Sequence, residues 1–333
     1  MQSSSCDGRS RRLVQWHLAA ASASFVLVAA CGGGGGPIGS TPAPPPTATP
    51  TPSPTPTTSP TPVPQATPST AFLTSEYNRS SGPQQHGALT PWTAGYSGAG
   101  VTIGIVDTGI DSDSPEFAGR ISSASADVAG SRGIDNPDSD HGTNVALVAA
   151  AARDNLGVVG MAFKATVAMF RADSPGTCAN NDPANPKDGC KLPDSAIALG
   201  IDRAVSAGAK VINLSLGGST PNSTLRAAMA RAASAGAVVV VAAGNNGDST
   251  EAGIDPNNPD PFATGVRQSG AGNVIIAGSV DSGNLFSTFS NRAGSEANWF
   301  LSARGERVCC VYDNGVLKIT TDASGQRFQY VFS

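Results

Sequence analysis

A mostly parallel sheet with helices on both faces, a three-layer α/β fold, is what the sequence predicts for its larger part, residues 71–333. Two observations carry that expectation. From about residue 90 onward, short β-branched apolar runs alternate with longer segments of helical period. The chain is also rich in the smallest residue and poor in charge, with 39 glycines among 333 residues and 14% Asp, Glu, Lys and Arg. That balance suits layers packed closely through small side chains.

Each element has its own reason. V-T-I-G-I-V (101–106) is a nearly continuous apolar run, as a strand covered on both faces requires. H-G-T-N-V-A-L-V-A-A-A-A-R (141–153) is a helix of small residues, with Asp140 or Ser139 available to cap it. V-A-M-F (167–170) is a second short strand. In 194–208 a helix starts at a capping Asp194, repeats Ile197, Ile201 and Val205 four apart, and stops at Gly208. K-V-I-N-L-S-L (210–216) is a strand, 223–236 a helix, and A-V-V-V-V-A-A (237–243) and N-V-I-I-A-G-S-V (273–280) are further strands. Strands alternating with helices give right-handed βαβ units, whose ligand sites lie beyond the carboxyl ends of the strands.

The first seventy residues are of another kind. Arg9, Arg11 and Arg12 precede the apolar run A-A-A-S-A-S-F-V-L-V-A-A, the layout of an export signal too short to remain as a membrane span. The run ends V-A-A-C, which resembles the lipobox of bacterial lipoproteins, so residues 1–31 are expected to be a signal with Cys31 as the lipidated residue. The plainer alternative is an ordinary signal peptide with an incidental cysteine. Residues 32–70 form a linker, glycines first and then Pro/Thr-rich, and 13 of the 25 prolines fall within 37–70. Proline fixes φ and removes a donor, so an extended spacer reaching on the order of 100 Å is expected.

Six cysteines suit an exported chain. Cys178 and Cys190 bracket a polar loop and are plausible disulfide partners; zinc is the weaker alternative, because the loop offers no histidine or further cysteine. Cys309 and Cys310 form a vicinal pair of undetermined state. A net charge of -4 without long basic runs argues against nucleic acid as a partner.

Chemistry-bearing residues stand at the edges of the predicted elements. Asp107 ends the first strand in I-V-D-T-G, His141 opens the following helix in H-G-T, and Asn245 follows A-V-V-V-V-A-A in A-A-G-N. Alone, Asp107 could be a turn former and His141 a helix-start residue, but His141 is the only histidine within the α/β region. D-T-G, H-G-T-x-V-A, N-L-S-L-G-G and A-A-G-N, in that order over about residues 95–333, resemble the subtilisin-like serine proteases, the subtilases. The resemblance implies that Asp107 orients His141, that His141 is the general base, and that Asn245 stabilises an oxyanion. It also implies that Ser215, Leu216 and Gly217 bind an extended substrate backbone as an added strand. The expected partners are protein or peptide substrates and, through the lipid, a bacterial membrane, with the outer membrane, cell surface or periplasm as location and a monomer as the state. No cofactor is required. Calcium sites are common in the family, but no acidic cluster in the sequence marks one, and no metal ligands are assigned.

D-T-G (107–109) and D-S-G (281–283) also match the paired motifs of an aspartic protease, but that all-β, two-lobed fold conflicts with the Ala-rich helices. The second function carried forward is a surface-anchored, peptide-binding pseudoenzyme or adhesin. The nucleophile decides between them. In subtilases it lies in G-T-S-x-A, which the 333 residues lack. S-T-F-S-N-R-A-G (287–294) resembles the stretch upstream of it, and A-R-G-E (303–306) the following loop. V-L-K-I-T-T and Q-R-F-Q-Y-V-F-S are expected to form a hairpin across D-A-S-G, with the serine motif just after residue 333 and the domain incomplete at that end.

Overall fold

The computed structural model describes residues 69–179, 189–309, 311–313 and 315–318. All of them fall in the unit Thr61–Ser333, and the signal, Cys31 and nearly all of the linker lie outside the described residues. Seven strands form one sheet: β1 (Thr102–Asp107), β2 (Ala126–Asp127), β3 (Thr166–Arg171), β4 (Val211–Leu214), β5 (Val238–Ala242), β6 (Val274–Val280) and β7 (Phe300–Arg304). Their order is β2-β3-β1-β4-β5-β6-β7, and every pair is parallel. The chain therefore leaves β1 toward one side, crosses back, and continues from its other side. The crevice beyond the carboxyl ends of β1 and β4 is the switch point such a topology creates.

Both faces of the central strands are covered, and the period of two shows which residue goes where. Ile103 and Ile105 of β1 and Val167 and Met169 of β3 pack with Val145, Ala146, Leu147 and Ala150 of a helix on one face. Val106, Ala168 and Phe170 face the opposite core, with helix residues Ile197, Ile201, Leu225, Met229 and Val266. This accounts for the unbroken apolar reading of 101–106. At β4, β5 and β6 the second core takes Ile212, Leu214, Val239, Val241, Val274 and Ile276, while Val238, Val240 and Ile275 on the other face are half-buried.

Seven helices are described: α1 (Ser75–Arg79), α2 (Ser81–Gln85), α3 (Leu89–Thr93), α4 (His141–Ala150), α5 (Asp194–Ser206), α6 (Ser223–Ser234) and α7 (Pro261–Ser269). The short α1–α3 surround Trp92, which packs edge-on to Tyr77 and Phe163. The His86 imidazole after α2 accepts from the Arg304 N–H of β7 at 2.8 Å, so this non-catalytic histidine docks the N-terminal turns on the sheet edge. Among the described residues no helix is long and apolar enough to cross a membrane.

Several expectations need correction. Asp194 does not cap α5. Pro193 is the cap, and the Asp194 carboxylate accepts from the Asn222 N–H, 2.7 Å away at the start of α6. Strand β4 ends at Leu214, so Ser215 and Leu216 stand beyond it rather than within it. Helix α7 stands between two strands where no element is expected from the sequence; its local sign is Asp260-Pro261, a cap followed by proline in the first turn. Ala303 and Arg304 are not loop but the end of β7. The segment β9 (Val316–Lys318) pairs antiparallel with β8 (Val311–Asp313), across a turn that closes at Gly315 with φ of +79°. Asn-Gly at 314–315 is the sequence signal for this additional hairpin, and the expected pairing across D-A-S-G lies outside the described residues.

Close packing of α5 on β1 shows what the small residues do. A side chain at Gly104 would put its Cβ 2.7 Å from the Ala204 Cβ. Gly104→Ala is therefore expected to lift α5 and cost about 1–3 kcal/mol of stability. Urea unfolding would register this, and an unchanged midpoint would contradict it.

Candidate active site

The site begins with two backbones in near contact. Gly109 takes a φ of +117°, turning the chain sharply after β1. A Cβ on Gly142, in the first turn of α4, would collide with the Gly109 carbonyl oxygen. Only glycine at both places lets the helix start lie against the strand end. Side chains then lock the approach: the Thr108 hydroxyl accepts from the Gly142 N–H at 3.2 Å, and the Thr143 hydroxyl accepts from the Asp111 N–H at 2.9 Å. D-T-G and H-G-T are thus two halves of one joint.

That joint brings Asp107 and His141 together. Asp107 is fully buried, and its Oδ1 lies 2.7 Å from His141 Nδ1 while also accepting from the Thr108 N–H at 2.7 Å. A carboxylate can only accept, so Nδ1 carries the proton. Asp107 Oδ2 is buried with no hydrogen-bond partner among the described residues. The His141 side chain is 36% exposed and borders both cavities described below. Burial works to lower the imidazole pKa, but the charge and hydrogen bond of Asp107 raise it, and the net result is above the ordinary value of 6.5.

The surrounding loops are held from behind. Arg171, next to Asp107 on β3, gives its Nε–H to Asp173 at 2.8 Å and a second N–H to the Asp135 carbonyl. Asn136 donates to the Thr108 carbonyl at 2.7 Å. On the outer side, β8 closes over α4: Asn144 Oδ1 accepts from the Tyr312 N–H, and the Tyr312 hydroxyl donates to Asp111 at 2.6 Å. Burial, then this hydrogen bond, push the phenol up to about 12.

Two cavities flank His141. One, about 570 Å³, is bordered by Asp107, Leu192, Ile197, Leu216 and Phe262, with Cys190 at its edge. Cys190 is bonded to Cys178, so the disulfide reading of that pair holds. The other, about 320 Å³, lies between Ser215–Gly218, the end of β5 at Ala242, Gly244 and Asn245, and Asp260. Asn245 is exposed, three residues after β5. All of Asp107, His141, Asn245, Ser215, Leu216 and Gly217 therefore meet around these two adjoining spaces, whereas Cys31 lies outside the described residues.

Two residues of this region escaped sequence reasoning. Asn291, almost fully buried, accepts from the Asn246 N–H at 2.7 Å and donates to the Asn258 carbonyl at 2.9 Å, fixing the turn after β5. Asp260 accepts from the N–H groups of Gly218 at 2.9 Å and Phe262 at 2.8 Å, tying the 215–218 segment to the start of α7. Their partners are distant in sequence, and only the Asp-Pro pair hinted at one of them. Among the described residues, no group of three or more His, Cys, Asp or Glu side chains is arranged to hold a metal ion.

Residues 98–331 match the Subtilase family, Peptidase_S8. The chain is similar to thermitase of Thermoactinomyces vulgaris, 35% identical over 231 residues that make up 67% of this chain and 69% of thermitase. It is 33% identical to a thermophilic serine proteinase of Bacillus sp. (strain AK1) over 63% of this chain, and 31% identical to subtilisin E of Bacillus subtilis (strain 168) over 61%. In each of these last two the match spans about half of the relative, 46% of its length.

The electrostatics give a prediction that needs no turnover. The His141 imidazole should titrate above 6.5 in an NMR pH series. Asp107→Asn removes the charge that raises the pKa and leaves the burial that lowers it, so the midpoint should fall below 6.5. A midpoint that stays put would show that Asp107 does not set the charge state of His141.

Proposed function

The chain belongs to the subtilase family, and we propose that it serves as a serine-type endopeptidase held at a bacterial membrane by a lipid. The carrying observation is the 2.7 Å bond between buried Asp107 and His141 at the mouth of a cleft beyond the strand ends. In this reading His141 Nε2 takes the proton of a serine hydroxyl as it attacks the substrate carbonyl. The imidazolium so formed keeps its Nδ1–H on Asp107, which holds the tautomer and offsets the new charge. The same nitrogen then returns the proton to the leaving amine. Asn245 donates to the oxyanion of the tetrahedral intermediate.

The backbone at Ser215–Gly217 supports the substrate assignment. It follows β4 but lies outside the sheet ladder, so its peptide groups stand where an extended chain can pair with them. The proton moves between side chains and substrate, and no cofactor is required. The reading requires a serine nucleophile within reach of His141 Nε2, and none of the 333 residues stands in the G-T-S-x-A motif. That same lack is what favours the second reading, a peptide-binding protein without turnover. Lipidation at Cys31 and the proline-rich spacer at 32–70 would hold the domain, 71–333, away from the membrane as a monomer.

Cleavage of peptide substrates by the complete protein, with labelling of one serine by a fluorophosphonate, is the expected result; the 333-residue chain alone should stay unlabelled. Binding of peptide without cleavage by the complete protein would favour the second reading. Asn245→Ala should lower kcat by about 10²–10³ with little change in KM, the loss known from subtilisin in this same family. Because the base must be neutral, kcat/KM should climb as pH passes upward through the raised pKa of His141.

A further inference from the structure

We propose that Asp260 makes the smaller cavity beside His141 a pocket for a lysine or arginine side chain on the acyl side of the cleaved bond. The proposal rests on the peptidase reading above and adds its substrate class. The cavity is walled largely by backbone: Gly217, Gly218 and Gly244 contribute no side chain, and Leu216 offers apolar surface for the methylenes of a long residue. It adjoins both His141 and Asn245, so the side chain entering it belongs to the residue whose carbonyl reacts.

Among the described residues, Asp260 and His141 are the only ionisable groups that border this cavity. Asp260 is 7% exposed and rigidly held, its Oδ1 bonded by the Gly218 and Phe262 N–H groups. Its Oδ2 turns toward Gly217, 3.6 Å from where a Cβ there would stand. Three other buried carboxylates have cations of their own, Asp127 with Arg132, Asp173 with Arg132 and Arg171, and Glu296 with Arg267, whereas buried Glu76 and Glu116 border neither cavity beside His141. Asp260 forms no ion pair with a lysine or arginine among the described residues. Burial raises its pKa, against backbone hydrogen bonds that lower it. A cationic side chain arriving in the pocket supplies the missing countercharge, and a neutral one leaves the carboxylate desolvated and unpaired.

The plain alternative is that Asp260 only caps α7 and anchors the 215–218 segment. Asp260→Asn separates the two, since asparagine keeps an acceptor for both N–H groups and loses the charge. Asp260→Ser is the second capping variant should the first fail to fold, and thermal unfolding reports on each. Calorimetry on the full chain with benzamidine and its neutral near-isostere benzamide reads the pocket without hydrolysis. Benzamidine should bind at least tenfold tighter than benzamide, and the capping variant should erase that difference. Equal binding of the two probes, or a preference that survives in a variant of unchanged melting temperature, overturns the proposal. With the complete enzyme, the kcat/KM ratio for peptides cleaved after arginine over those cleaved after leucine should fall at least tenfold in the variant. A ratio that does not move overturns it as well. Charge-dependent probe binding with no peptide cleaved would sustain the pocket while sinking the peptidase reading, so the two fail separately.

Discussion

Burying a carboxylate at the end of a strand is expensive unless its charge is answered at once, and Asp107 is fully buried. One oxygen is answered twice, by the Thr108 N–H and by His141. The rest of the site follows from keeping that arrangement. The helix carrying His141 must start within touching distance of the strand that ends in Asp107, and two glycines make the approach sterically possible. Threonines on both sides of the joint then convert proximity into fixed geometry. An imidazole so held is both oriented and tuned, because the partner that fixes its tautomer also raises its pKa.

The sheet topology supplies the space in front of this pair. Because β3 and β4 lie on opposite sides of β1, the loops after these strands diverge and leave a crevice between them. The far wall is built from the end of β4, the end of β5 and the start of α7. Asp260 and Asn291 join these three pieces through backbone hydrogen bonds rather than through apolar contact. That choice fixes the backbone of the wall and leaves the groove open. Behind it, α5, α6 and α7 share a continuous core with β4, β5 and β6, which keeps the wall in register with the strand ends.

Much of this was legible in the residues. Alternating apolar runs and helical periods gave the parallel sheet, because a strand covered on both faces has to be apolar along its buried length, as residues 103–106 are. Helix starts were harder to read. Asp194 looks like a cap yet holds the start of α6, since a carboxylate one residue into a helix reaches a neighbour as easily as its own backbone. Helix α7 carries an apolar face on a polar segment between two strong strands, and only its Asp-Pro start gave a sign of it.

By itself the sequence determined the alternation of the central strands β1, β3, β4, β5 and β6 with helices α4, α5 and α6, the family resemblance, and the edge positions of Asp107, His141 and Asn245, since local period and short motifs need no distant partner to be read. Tertiary structure decided the rest: that Gly109 and Gly142 touch, that the ladder stops at Leu214, and that Asn291 and Asp260 reach across about 40 residues to hold the cleft wall. Such contacts depend on where the sheet brings separate loops, and no run of neighbouring residues encodes that meeting.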